Sequence, residues 1–123
     1  MDKPTRIVDP NFRSSLLGRD GRCLVCGTIL DENTIHPHHI STRGSGGDDV
    51  LENGISLCRW CHDDVHRGHT TIEGERVYLS RSVLCWLLVL NHGYEYSDLG
   101  ECDRIIAELL FQRYTFKSEA WFC

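Results

Sequence analysis

Two groups of residues in this chain have the types and spacing to do chemistry. The first is a pair of CxxC turns, Cys23-Leu-Val-Cys26 and Cys58-Arg-Trp-Cys61. One CxxC turn brings two sulfurs within reach of one ion, and two such turns complete a closed tetrahedral site of the structural zinc type. A single CxxC could be a redox pair or buried apolar cysteine; two together point to zinc. The second group is rich in histidine: His38 and His39 side by side after Pro37, then His62 and His66. Neighbouring side chains of a strand point to opposite faces, so His38 and His39 suit two different jobs. His62 and His66 lie four residues apart on one helical face, a good chelate for a divalent cation. His38 would bring a third nitrogen and leave open positions for water and substrate. His39 would stay off the metal, and a free neutral imidazole beside a bound phosphate is suited to deprotonate water.

Short elements must position these groups. TIHPHHI reads as a strand kept to an edge by Pro37. GISLC reads as a second strand, and RWCHDDVHRG as a helix of about two turns that stops near Gly68. Between the strands runs STRGSGGDDVLEN, a Gly-, Ser- and Asp-rich loop. Residues 1–20 read as an extended polar arm, with a turn of helix around Phe12 to Leu17. Residues 70–79 read as a hairpin turning at Glu73-Gly74-Glu75. SRSVLCWLLVLNHG reads as a helix capped by Ser80 or Ser82 and stopped at Gly93. In SDLGECDRIIAELLFQR, Ile105, Ile106, Leu109 and Leu110 recur at helical spacing. Trp60 is expected in the core, and Cys85 and Cys102 in helix packing. Cys123 is read as a free end, and His36, His69 and His92 as ordinary surface residues.

Composition limits the function classes. A chain of 123 residues with net charge −5 is not a polycation that coats nucleic acid. A bound cation and local arginines can still create a positive site on an acidic protein. Arg13, Arg19, Arg22, Arg43, Arg59 and Arg67 are candidates, and Arg43, Arg59 and Arg67 flank the histidines as phosphate contacts. The longest apolar run, residues 83–90, is far short of the ~20 residues that cross a bilayer. The N-terminal sequence lacks the apolar core of a secretory signal. Four of the seven cysteines sit in CxxC pairs, which in a reducing compartment favours metal over disulfides. A cytoplasmic protein with no membrane partner is the expectation.

The string HHISTRGSGGDDVLENGISLCRWCHDDVH resembles the HNH (ββα-metal) endonuclease family in its zinc-stabilised, two-CxxC branch. It carries the H…N…H signature as His39, Asn53 and His62, with spacings of 14 and nine, and His66 follows His62 by four. The resemblance covers residues 20 to 67. It implies an α+β fold: a small ββα-metal, treble-clef-like nuclease core on a structural zinc site, with a helical C-terminal extension. The expected parts are an arm (1–19), the core (20–69), and a hairpin and helices (70–123) that pack on the core or on a second subunit.

The resemblance also implies roles. Cys23, Cys26, Cys58 and Cys61 would hold structural Zn²⁺. His39 would be the general base. His38, where many members have Asp, and His62 would ligate a catalytic divalent cation. His66 matches a further ligand or phosphate contact. Asn53 orients the base loop in some branches and ligates the ion in others; the orienting role is favoured here, because Asn readily bridges backbone groups. Imidazole-rich ligation suits Mn²⁺, Ni²⁺, Co²⁺ or Zn²⁺ better than Mg²⁺. The reaction would be hydrolysis of DNA phosphodiester bonds, leaving a 5′ phosphate. Weak sequence preference is expected, because the region from residue 71 onward has five Lys and Arg against eight Asp and Glu and offers no recognition element. A homodimer would convert nicks into double-strand breaks. Compact proteins of this kind occur in bacteria and phage near DNA-packaging genes, so packaging proteins enter as partners by analogy alone. The alternative reading is a non-catalytic zinc module that binds DNA or protein; it needs no free imidazole beside a second metal.

Overall fold

The computed structural model describes residues 6–41 and 47–120, with side chains through residue 115. Arg43 and Cys123 lie outside the described residues. The elements run α1 (Phe12–Asp20), β1 (His36–His39), β2 (Gly54–Leu57), α2 (Arg59–Arg67), β3 (His69–Ile72), β4 (Glu75–Tyr78), α3 (Arg81–His92) and α4 (Glu101–Ala120). Strands β1 and β2 pair antiparallel, with His38 opposite Ile55 and His39 opposite Gly54. Helix α2 follows β2 directly and completes a ββα unit. A second antiparallel hairpin, β3–β4, follows it.

Helix ends obey local chemistry. The Cys58 sulfur caps α2 by accepting from the Cys61 amide, and the Ser80 hydroxyl caps α3 by accepting from the Val83 amide. Gly68 and Gly93 end these helices at φ 86° and 75°, a left-handed conformation in which glycine carries no steric cost.

One apolar core joins the ββα unit to the flanking helices. Phe12 and Leu16 of α1, Ile55 and Leu57 of β2, Val83, Leu84, Leu87 and Leu88 of α3, and Ala107 and Leu110 of α4 are all buried in it. Expectations change here for the arm and for Cys102. The expected arm is over residues 12–20 a helix, longer than the single turn anticipated, and it packs on β2. On α4, Ala107, Leu110 and Tyr114 face inward, while Ile105 is 68% exposed and Leu109 also reaches solvent. Cys85 is buried, but Cys102, expected in helix packing, is exposed.

Polar contacts fasten the outer helices to the centre. The fully buried Asp20 carboxylate accepts from the Ser56 amide at 3.3 Å, pairs with Arg19 Nε at 2.8 Å and lies 2.6 Å from His92 Nε2. His92, expected at the surface, therefore ties the end of α3 to α1. The Tyr114 hydroxyl of α4 donates to the Leu24 carbonyl at 3.0 Å, inside the first CxxC turn.

Gly54 is where α1 meets the sheet. A Cβ there would sit 2.5 Å from the Phe12 ring and 3.0 Å from both Leu16 methyls. Its φ of −125° is ordinary, so the requirement for glycine is steric. Gly54→Ala should cost ~1–3 kcal/mol by overpacking, read as a lower midpoint in thermal denaturation. Phe12→Leu should recover part of that loss in the Gly54→Ala background. An unchanged midpoint in Gly54→Ala would show that α1 does not pack as described.

Candidate metal centres and active site

The two CxxC turns meet at one point. One ligand atom from each of Cys23, Cys26, Cys58 and Cys61 lies within 4.8 Å of the other three. The Cys26 and Cys58 sulfurs are 3.8 Å apart. A tetrahedral zinc with Zn–S of ~2.3 Å has sulfur–sulfur edges of about 3.8 Å, so the cluster has the size the ion requires. Local backbone bonds build the first turn: Gly27 N–H donates to the Cys23 carbonyl and Cys23 N–H to the Thr28 carbonyl, both at 2.8 Å. The thiols are close enough to hydrogen-bond to one another. Hydrogen bonding from Cys23 pulls the Cys58 thiol down to about 6 and also lowers Cys26, while Cys23 is itself raised. A divalent cation would take the place of the protons in those bonds, the usual condition for thiolate ligation.

The histidines form a second cluster at the junction of β1 and α2. Donor nitrogens of His38, His62 and His66 lie within 4.8 Å of one another. The Nε2 atoms of His62 and His66 are 3.2 Å apart. Two nitrogens bound to one ion at ~2.1 Å stand roughly 3 Å apart, so these three rings could hold a divalent cation with coordination positions to spare. Burial pushes the His38 imidazole down to about 4, and the neighbouring His62, His66 and His39 add to the shift. His62 is lowered by burial and then by His66 and His36. Both rings are thus kept neutral at pH 7, the form that binds metal. His36, expected to be an ordinary surface residue, stands with its ring centre 5.5 Å from that of His62.

His39 lies apart from the three-histidine cluster. Its ring stacks on Phe12 at 4.8 Å and 17°, and its Nε2 is 2.7 Å from Asp49 Oδ1. The stack depends on Gly54, which sits across the sheet from His39 and leaves room for the Phe12 ring. Asp49 is held on all sides. Arg6 Nη2 donates to its Oδ1 at 2.8 Å, and the Asp9 amide donates to its Oδ2 at 2.9 Å. The Asp9 amide and then His39 hold this carboxyl below its ordinary range. Sequence reasoning missed Asp49, Arg6 and Phe12 as partners of His39. The available signal was that a basic imidazole needs an acceptor on its second nitrogen, and Asp48 and Asp49 were the nearest carboxylates along the loop.

Asn53 bridges the loop between the strands. Its Oδ1 accepts from the Ser41 amide at 2.8 Å, and its Nδ2 donates to the carbonyls of Ser41 at 3.1 Å and Asp48 at 2.9 Å. Every polar group of the amide is occupied by backbone. The candidate phosphate contacts differ from one another: the Arg67 guanidinium pairs with Asp64, and that of Arg59 lies 5.4 Å from the Trp60 ring centre. Asp64 also accepts from the Thr70 hydroxyl at 2.8 Å, which fastens α2 to β3. Trp60 does not enter the core; it is 71% exposed.

The ββα unit thus carries a four-sulfur cluster and a more open three-histidine cluster, each compact enough to hold a metal ion. The family model described as HNH endonuclease matches residues 23–68, and the four cysteines in that segment are consistent with the family's zinc-stabilised branch. HNH nucleases use divalent metals and act on DNA. No curated protein matches the chain. No helix among the described residues is long and apolar enough to cross a membrane.

Structural zinc binding is worth ~10–16 kcal/mol, as much as the whole stability of an ordinary domain, ~5–15 kcal/mol. Cys58→Ser should therefore lose zinc and unfold or aggregate, as read by metal analysis and circular dichroism. A Cys58→Ser protein with full zinc content and an unchanged melting midpoint would show that the four sulfurs do not form the frame.

Proposed function

We propose that this protein is an HNH endonuclease that hydrolyses DNA phosphodiester bonds with weak sequence preference and leaves 5′ phosphates. The observation that carries the reading is the convergence of three imidazoles, those of His38, His62 and His66, beside a fourth that is paired to a carboxylate. His38, His62 and His66 would hold the catalytic cation, and their nitrogen-rich set suits Mn²⁺, Ni²⁺, Co²⁺ or Zn²⁺ better than Mg²⁺. When bound, that cation supplies Lewis-acid stabilisation of the charge that builds on the phosphate and the leaving oxygen.

His39 is the general base. Its Nε2 faces the ionised Asp49, so the neutral ring carries its proton there and presents Nδ1 as the acceptor for a proton from water. Asp49 fixes that tautomer and stabilises the imidazolium that forms. Asn53 orients the loop that carries Asp48 and Asp49 through its bonds to the Ser41 and Asp48 backbone. Arg59 and Arg67, at the two ends of α2, contact the DNA backbone.

The test is a plasmid-nicking assay with added Mn²⁺. His39→Ala should lose a hundredfold or more in rate, on the order expected for a general base, and should keep its zinc and fold. Asp49→Ala should lose less. The double variant should be no slower than His39→Ala alone, because the carboxylate acts only through the imidazole. Wild-type cutting by His39→Ala would refute the assignment, and additive losses would refute the coupling.

A further inference from the structure

Trp60 and Ile29 are each 71% exposed, and both line a pocket of about 300 Å³ beside the histidine cluster. Thr28, Asn33, His36 and Arg59 also line it. The nuclease chemistry above uses one residue of this pocket, Arg59, and leaves the rest of it unassigned. Trp60 belongs to the first turn of α2, the helix that carries His62 and His66. The buried residue of that helix is Cys61, so position 60 is turned outward by the geometry of the zinc turn. A single exposed apolar residue needs no explanation, but Trp60 and Ile29 meet in one concave patch, and contiguous exposed apolar surface marks interaction sites.

Three features identify the occupant. The first is shape and chemistry: an apolar platform with polar groups on its rim fits a planar heteroaromatic ring. The second is charge: the Arg59 guanidinium, 5.4 Å from the indole centre, adds a cation that suits a ligand joined to a polyanion. The third is continuity: His36 lines the pocket and stands one ring contact, 5.5 Å, from His62. A strand with its phosphate at the histidine cluster would carry a neighbouring base to the mouth of this pocket.

We infer that the Trp60–Ile29 pocket takes an unstacked nucleobase next to the scissile phosphate, stacked on the indole, and so favours single-stranded or locally opened DNA over intact duplex. This rests on the nuclease reading for the position of the phosphate. Bases in a duplex already stack on one another and offer no free face, whereas in a single strand every base has one. Stacking is tolerant of base identity, so the pocket would select DNA structure without selecting sequence.

The experiment is fluorescence anisotropy with the full-length, zinc-replete protein and no added catalytic ion. The probes are a labelled single-stranded DNA, the matching duplex, and a strand of the same length built of abasic nucleotides. Trp60→Ala should bind the single strand roughly tenfold more weakly or worse, as loss of one base–aromatic stack implies. Trp60→Phe should retain most of the affinity. Duplex and abasic strand should bind wild type and Trp60→Ala alike. Zinc content with circular dichroism checks the fold of each variant, and Trp60→Leu, which keeps apolar bulk but has no aromatic face, repeats the test if the alanine variant fails to fold. Unchanged single-strand affinity in Trp60→Ala, or an equal loss on the abasic strand, would overturn the inference. Nicking by the wild-type protein with Mn²⁺ is run alongside: its absence would count against the nuclease reading, while the binding data still decide the pocket.

Discussion

The rest of the structure depends on closing four sulfurs around one point. Cys23 and Cys26 come from a turn after α1, and Cys58 and Cys61 come from the junction of β2 and α2. Joining them fixes where α2 starts and which way it is rotated. Cys61 turns inward, and its two neighbours, Trp60 and His62, project away from it at ~100° per residue. The same rotation puts His66 beside His62 and both within reach of His38 on β1. A ligand set assembled from β1 and α2 thus inherits its geometry from a sulfur cluster shared by α2 and the turn after α1. The α4 helix presses on that frame: Tyr114 bonds the Leu24 carbonyl and crowds Gly27 of the first CxxC turn.

A strand solves the problem posed by adjacent histidines. His38 and His39 alternate across β1, so one joins the metal-binding cluster and the other enters a separate environment of Phe12, Asp49 and Arg6. Those environments differ in sign. His38 is surrounded by other imidazoles and by apolar burial, which disfavour its charged form. His39 instead faces the Asp49 carboxylate, with its Nε2 2.7 Å from Oδ1. In the proposed reaction, one ring must stay neutral and the other must accept a proton, and the two settings are arranged accordingly.

How far the sequence could be read followed from the range of each interaction. The CxxC turns, the i, i+4 histidines, the Ser80 cap and the glycine stops are local, and spacing alone located them. The HNH core was legible because a zinc frame and a histidine string interlock at one spacing. What was missed depended on distant partners. Asp20 and His92 are 72 residues apart, so their contact at 2.6 Å left no sequence pattern. Helix α1 looked like part of an arm because its apolar face is just Phe12 and Leu16, and the residue that receives them is a glycine 42 positions after Phe12. Trp60 was assigned to the core by residue type, but the zinc turn and not hydrophobicity sets the rotation of α2. On α4, four apolar residues at helical spacing gave two rival faces, and contact with α3 and the zinc turn selected the one containing Leu110.

The central claim is that the chain carries two metal sites of different kinds, one closed by thiolates and one open and built of imidazole nitrogens. The direct measurement is metal content, circular dichroism and plasmid nicking on the same sample, before and after brief EDTA treatment. The account predicts that one zinc per chain and the full helical signal survive, that nicking disappears, and that added Mn²⁺, Ni²⁺ or Co²⁺ restores it more fully than Mg²⁺. Nicking that persists through prolonged chelation, or that is lost only together with the zinc and the helical signal, would contradict it.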